Sequence, residues 1–478
     1  RKALTEQTGS ILVFLPGARE IRRVTARLAN AGLGSGILIA PLFGQLTRSE
    51  QDRAIKPCEP GRRKVVLATS IAETSLTIEG IRVVVDAGQM RVPRFDVGSA
   101  MTRLQTIPVS KASADQRRGR AGRTQPGVCY RLWAEAAHSL LRPHNTPEIM
   151  ASDLCPLALE LFVWGESDPG GLAWIDPPPS AAFSKARELL YLLEAVDKQG
   201  RVTAHGRQMA DLGLHPRLAH MVLKARPRGL GNLACRLAAL LEERDILLPR
   251  SGARDADLRL RIEALAALEQ HRLSADPRLP VDAGAARRVL KRARQLAQRL
   301  NIGPDRGSEN RIGELLARAY PDRIALRRKG DGRHYLLAGG HGAFFSDAEP
   351  LCACDCLVVA DLDGNRQNAR IFLAAAFTRE ALQAAFAHRI QTQDRVDWDP
   401  ARQRVVAVRR QCFGCLVIHE EPLRAPDADR VVAALLTGIR MTGLQVLPWT
   451  RRLRAWQARV LFLRRQAAPG GPWPDVSD

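Results

Sequence analysis

The feature that most restricts the fold is a change of hydrophobic period along the chain. Over residues 1–136 short apolar runs alternate with amphipathic stretches, whereas from Phe183 to Leu300 apolar residues recur at i, i+3 and i+4. The first pattern predicts strands alternating with helices, hence α/β layers around a parallel sheet. It places strands at Ile11–Leu15, Lys64–Thr69 and Val83–Asp86, and an amphipathic helix at Ala18–Ala29. A β-hairpin is expected over Phe95–Val109, with alternating polarity and Gly98 in its first half. The second pattern, as in Ala186, Leu189, Leu190 and Leu193, predicts packed helices. Between the two, Pro147–Asp176 reads as helical and stops at Asp176-Pro177-Pro178-Pro179, since consecutive prolines fix φ and remove donors. Beyond a polar break at Gly303–Asn310, runs such as His334–Leu337 and Cys356–Val359, spaced by Gly and Asp, predict a small barrel or sheet. The tail returns to mixed α/β and ends in a basic helix at Arg451–Arg465.

Length and charge set the partner class. A chain of 478 residues holds about three domains. Its 72 Lys and Arg against 50 Asp and Glu give a net charge of +22, which favours a polyanion such as nucleic acid. Only nine of the basic residues are Lys, so arginines decorating solvated helix faces stay open as a second reading. No apolar run reaches about 18 residues, which argues against a membrane span. Nine irregularly spaced cysteines do not make a disulfide framework and point to a reducing, cytoplasmic setting. Cys352, Cys354 and Cys356 could join Cys412 and Cys415 around zinc, but the unusual spacing and long separation argue for no metal centre. The opening Arg1-Lys2-Ala3 has neither Met nor an apolar leader core, which predicts a piece of a longer chain.

Two segments carry chemistry. Gln116-Arg117-Arg118-Gly119-Arg120-Ala121-Gly122-Arg123 presents two arginines, Arg120 and Arg123, that can aim at one phosphate from an expected helix start. Gly119 permits close backbone approach, and Gln116 could orient water or a terminal phosphate. The second segment, Ala68–Gly80, follows a strand and concentrates hydroxyls and two carboxylates where parallel sheets bind ligands.

With Ile11–Ile21, these segments resemble motifs IV, V and VI of the DEAH/RHA class of superfamily 2 helicases, in that order. The likeness extends through Ala100–Ser113, Pro147-Glu148-Ile149, Leu159–Gly165 and the passage from Asp176 to Leu218. It reaches a bacterial branch of the class at Glu242–Asp245, Ala319–Ala325, Leu357–Asp363 and Leu447–Thr450. The resemblance implies a RecA-like α/β lobe (1–136), a winged helix (137–206), a helical ratchet bundle (207–305), an OB-like β domain (306–378) and a mixed C-terminal region (379–478).

It also implies ATP-dependent 3′-to-5′ movement on single-stranded RNA, with DNA as an alternative strand, and no membrane role. Arg120 and Arg123 match the finger arginines and Gln116 the glutamine near the γ-phosphate. Ser75, Thr77, Glu79 and Gly119 match nucleotide-contacting positions; Thr69, Ser70, Gly17 and Arg19 match RNA-contacting ones. Ser70 stands where the class has Asn, and Ile55 about where eukaryotic members stack an aromatic on adenine. The chain contains no GxxxxGK[ST] loop and no DEAH carboxylate pair, so the ATP cradle and Mg²⁺ ligands are expected in another RecA-like lobe, and this chain alone is predicted not to hydrolyse ATP. The Phe95–Val109 hairpin is expected either to separate strands or to be a sheet edge. The rival reading is a non-catalytic RNA-binding module whose barrel stacks bases on Tyr335, Phe344 and Phe345, although core packing suits those side chains better.

Overall fold

The computed structural model describes residues 1–44, 46–59, 61–74, 77–98, 100–123, 125–248, 255–270, 280–305, 311–328, 330, 332–365, 367–467 and 471–477. They cluster into two units, one of 1–244, 287–306 and 361–372, the other of the remaining segments.

The first unit opens with α1 (Lys2–Glu6), β1 (Ser10–Phe14), α2 (Ala18–Ala29), β2 (Ile37–Leu42), α3 (Arg48–Ile55), β3 (Arg63–Ala68), β4 (Ile81–Asp86), β5 (Gln89–Asp96), β6 (Met101–Pro108), α4 (Lys111–Gly119), β7 (Val128–Arg131) and α5 (Glu135–Ser139). Five strands form a parallel sheet in the order β2-β3-β1-β4-β7. The central strands are buried on both faces, which is why they read as unbroken apolar runs. Their two-residue period splits the core. Leu12, Phe14, Val66, Ala68 and Val84 face α3 through Ala54, while Ile11, Val65, Leu67 and Val83 face Ile21 of α2. Strand β2, which the sequence reading passed over, is the sheet's edge, the place where Pro41 costs no ladder bond. Local chemistry sets the helix ends. Thr47 and Glu50 form a reciprocal capping box at α3, and buried Lys64 donates to Ala54 O at 2.8 Å and to Lys56 O at its far end.

The hairpin pairs Gln89–Asp96 with Met101–Pro108, so it starts earlier than Phe95. Its outer halves lack the clean alternation used to find it: Arg91, Val92 and Pro93 are mixed in character. Of the Pro147–Asp176 stretch only α6 (Cys155–Trp164) is α-helical; Gly165 at φ 101° ends it and a short 3₁₀ turn follows at Pro169–Gly171. The helical region is α7 (Ser180–Leu192), starting directly after Pro179, then α8 (Ala204–Asp211), α9 (Pro216–Ala225), α10 (Gly231–Glu242), α11 (Leu258–Glu269) and α12 (Ala283–Arg299). The predicted polar break is seen only to Asp305, its remainder lying outside the described residues.

Next, α13 (Ile312–Ala319) precedes β8 (Ile324–Arg327), β9 (His334–Leu337), β10 (Gly342–Phe344), β11 (Cys356–Leu362) and β12 (Asn368–Phe377), all grouped in the second unit except residues 361–372, which fall in the first. These strands close into a barrel in the order β10-β12-β11-β8-β9. Then come α14 (Arg379–Phe386), the antiparallel sheet β13 (Gln391–Asp399), β14 (Arg404–Phe413) and β15 (Leu416–Pro422), and finally α15 (Ala428–Thr442) and α16 (Arg451–Gln466). Among the described residues no helix is long and apolar enough to cross a membrane.

Candidate phosphate-binding site

Both chemical segments lie on one face of the parallel sheet. Ala72 of the first and Ala121 of the second are buried with Leu12, Phe14, Val66 and Val84. Because parallel strands need a full return crossing, residues 69–80 run from the C-terminal end of β3 to the start of β4. Thr69 and Ser70 therefore sit at the strand C-terminus, where the sequence reading placed a ligand. Thr77 and Glu79 do not: they precede Ile81, at the opposite end of the crossing.

Helix α4 begins where the Ser110 hydroxyl accepts from Ser113 N at 3.0 Å, and it ends with Arg120 as its C-cap. The arginines thus leave a helix rather than start one, which corrects the sequence expectation. The reason is local: Gly119 and Gly122 break the helix, and Ser110 starts it earlier. The helix dipole at this end favours the arginines themselves and does not attract phosphate. Any pull on an anion comes from the guanidinium charges.

Arg117 is the residue the sequence reading missed. It is 1% exposed and sits over the Phe14 ring at 4.9 Å. Its Nε donates to Glu73 at 2.7 Å and its Nη1 to Asp86 at 2.8 Å. Glu73 also accepts from the Ser113 hydroxyl, and Asp86 accepts from Gly88 N at 2.9 Å. One guanidinium therefore locks the β3 crossing, the end of β4 and helix α4 together. The signal was present in β4, whose apolar run ends in a carboxylate that is fully buried. A buried acid needs a buried base.

One turn on, Arg120 is buried and donates to Glu73 O; three residues later exposed Arg123 donates to the Thr77 hydroxyl at 2.6 Å. Burial and then the charge of Arg123 pull the Arg120 pKa down, while Glu73 opposes them. The repulsion between the two guanidinium charges would be relieved by an anion. Gln116, Gly119, Glu79 and Arg19 are exposed, and Thr69 and Ser70 are half-buried. Gly17 is buried at the start of α2, where a Cβ would fall 2.6 Å from the Arg91 guanidinium. Ser75 lies outside the described residues. Ile55 is half-buried and packs against the sheet core.

The residues present do not form a Mg²⁺ shell. Glu73 and Asp86 are committed to Arg117, and among the described residues no three His, Cys, Asp or Glu side chains cluster around one point. Burial pushes the Cys356 thiol up to about 12 and raises Cys354, so both stay protonated. In the barrel, Tyr335 and Phe345 are core residues, with the Tyr335 hydroxyl donating to Cys354 O at 2.9 Å; half-buried Phe344 stacks on His334 at 5.7 Å.

Comparison with known proteins finds likenesses along the whole chain. Residues 1–125 match the helicase conserved C-terminal domain, 186–214 the winged helix of the helicase-associated domain, and 389–423 the connector region of ATP-dependent RNA helicase HrpB. ATP-dependent RNA helicase HrpB of Escherichia coli is 40% identical over 477 residues, 99% of this chain. Along nearly its whole length the chain is similar to the DEAH/RHA helicases. Crystal structures of E. coli HrpB, one titled a DExH-box NTPase and one a DEAH/RHA helicase, superpose over 100% of the chain with TM-scores of 0.75 and 0.76 at 39% identity. A splicing relative, the pre-mRNA-splicing factor ATP-dependent RNA helicase prp22 of Schizosaccharomyces pombe, is 40% identical over 261 residues, 53% of this chain and 22% of the relative. The chain spans about half of HrpB, 55% of the curated protein. In HrpB terms the β13–β15 sheet is the connector, and the matched winged-helix segment covers the end of α7, the Val196–Val202 bridge and α8.

Proposed function

We propose that this chain is the arginine-bearing half of an ATP-dependent RNA helicase that moves 3′ to 5′ on single-stranded RNA in the cytoplasm. The observation that carries the reading is the pair Arg120 and Arg123, posed side by side at the end of a row whose buried first member, Arg117, fixes their helix. A second RecA-like lobe, outside this sequence, supplies the phosphate loop and the Mg²⁺ ligands. Arg123 exchanges the Thr77 hydroxyl for a phosphate oxygen, and Arg120, oriented by Glu73 O, supports the same charge as it develops. Thr77, released, reports nucleotide state to the crossing that begins with the RNA-facing Thr69 and Ser70. Gln116, Glu79 and Gly119 border the nucleotide; Gly17 and Arg19 face RNA. Nine unpaired cysteines suit the cytoplasm.

The domains we assign are the RecA-like lobe (1–136), winged helix (137–206), ratchet bundle (207–305), OB-like barrel (306–378) and HrpB-type C-terminal region (379–478). The cyclic strand order β8-β9-β10-β12-β11 supports the OB-like assignment, a five-stranded Greek-key barrel. The β5–β6 hairpin, with Leu104 69% exposed, separates the duplex. The test is RNA-stimulated ATP turnover by the protein containing both lobes. Arg123→Ala and Arg120→Ala should each lower kcat by about 10³- to 10⁵-fold, and competition between RNA and DNA strands should favour RNA. Turnover that survives both substitutions would overturn the reading.

A further inference from the structure

The C-terminal helix α16 plays no part in the phosphate site, yet it presents an unusual surface. Its sequence, Arg-Arg-Leu-Arg-Ala-Trp-Gln-Ala-Arg-Val-Leu-Phe-Leu-Arg-Arg-Gln, contains no acid. Its buried side is small: Gln457 and Val460, with the Gln457 amide donating to Val476 O at 2.7 Å and Arg464 paired to Asp475. The tail thus covers one side of the helix and leaves the other open. There Trp456 is 52% and Phe462 62% exposed. Arg452, Trp456, Arg459 and Leu463 follow one another at i, i+4, i+7 and i+11, on one stripe. Arg452 and Arg459 are exposed and ion-pair with no other described residue.

We propose that this face binds single-stranded nucleic acid, as a contact additional to Thr69, Ser70, Gly17 and Arg19. The chemistry selects the occupant. A helix lying on a membrane segregates its basic and apolar residues onto different faces, whereas here Trp456 lies between Arg452 and Arg459 on one stripe and exposed Phe462 flanks Arg459 at i+3. That interleaving suits a strand whose phosphates meet guanidinium groups while its unstacked bases lie on Trp456 and Phe462. Paired bases could not reach those rings, so the strand is single. The inference shares only its ligand class with the function proposed above and does not need ATP turnover.

The experiment measures fluorescence anisotropy of a fluorescein-labelled oligouridylate on the full chain, beside crosslinking of a 4-thiouridine oligonucleotide mapped to peptides. Trp456→Ala with Phe462→Ala should weaken binding by about 30-fold or more, and Trp456→Phe with Phe462→Tyr should restore it. Arg452→Gln with Arg459→Gln should make the salt dependence shallower by about 1.4, roughly 0.7 per phosphate contact. Crosslinks should fall on α16. Unchanged affinity in both variants with crosslinks only elsewhere overturns the proposal, while leaving the ATP reading intact. Equally fatal would be variants that lose binding to phosphatidylglycerol vesicles but keep their RNA affinity, since α16 would then be a membrane surface.

Discussion

At the residue scale, three arginines in one row do different work because they differ in burial. Arg117 sits with two carboxylates in the interior, and removing one partner of such a cluster strands the others. Arg117→Ala should therefore destabilise the protein by about 3–5 kcal/mol, read from denaturant unfolding. Arg123 is exposed and bonded only to a hydroxyl among the described residues, so Arg123→Ala should leave the unfolding midpoint unchanged while abolishing turnover. Had both substitutions shifted stability alike, the division between brace and finger would be wrong. The sequence showed the three arginines but not their burial. Periodicity in α4 alone does not reveal that Glu73 and Asp86, distant in sequence, converge on Arg117. Nor did it show the direction of the helix, which turned on a serine cap nine residues upstream of the glycine that ends it.

At the element scale, close backbone approach and buried titration make checkable demands. A Cβ on Gly127 would lie 2.1 Å from Ala121 O and 2.6 Å from Arg82 O, both backbone atoms that cannot yield cheaply. Gly127→Ala should cost about 1–3 kcal/mol and lower ATP turnover, because Ala121 lies between Arg120 and Arg123, the two arginines proposed to meet phosphate. Between α8 and α9, His205 Nε2 meets His220 Nδ1 at 2.9 Å. Burial, then the charge of Lys224, hold the His205 pKa below its ordinary value, with Glu194 opposing. A depressed folded pKa means the unfolded chain binds the proton first. This contribution is fully present above the unfolded value of about 6.5 and is lost as pH falls toward the folded one. Melting temperature should drop between pH 7.5 and pH 5.5, and His205→Gln should flatten that drop. The hairpin makes a separate demand: Leu104→Ser should reduce unwinding while RNA-stimulated ATP turnover stands. Strands β1, β3 and β4 and helix α2 were legible because burial on both faces, or on one stripe, leaves a plain pattern. Strand β2, with its edge proline, and the irregular run through Pro147–Asp176 were not, since turns and 3₁₀ pieces follow capping rather than period.

At the scale of the whole molecule, the order of motifs in the sequence is the order of parts in the fold: a parallel α/β sheet, a winged-helix segment, helices, a closed barrel and the connector sheet. What motif order could not convey is the grouping, because the helical stretch contributes to both compact units. The central claim is that the chemistry is divided, with arginines on this chain and the phosphate cradle and metal ligands on another lobe. Steady-state ATP hydrolysis, with saturating single-stranded RNA, tests it when this chain is assayed beside the longer protein. Turnover by the longer protein and none by this chain is the predicted result. Hydrolysis by this chain alone, sensitive to Arg120→Ala, would contradict the account.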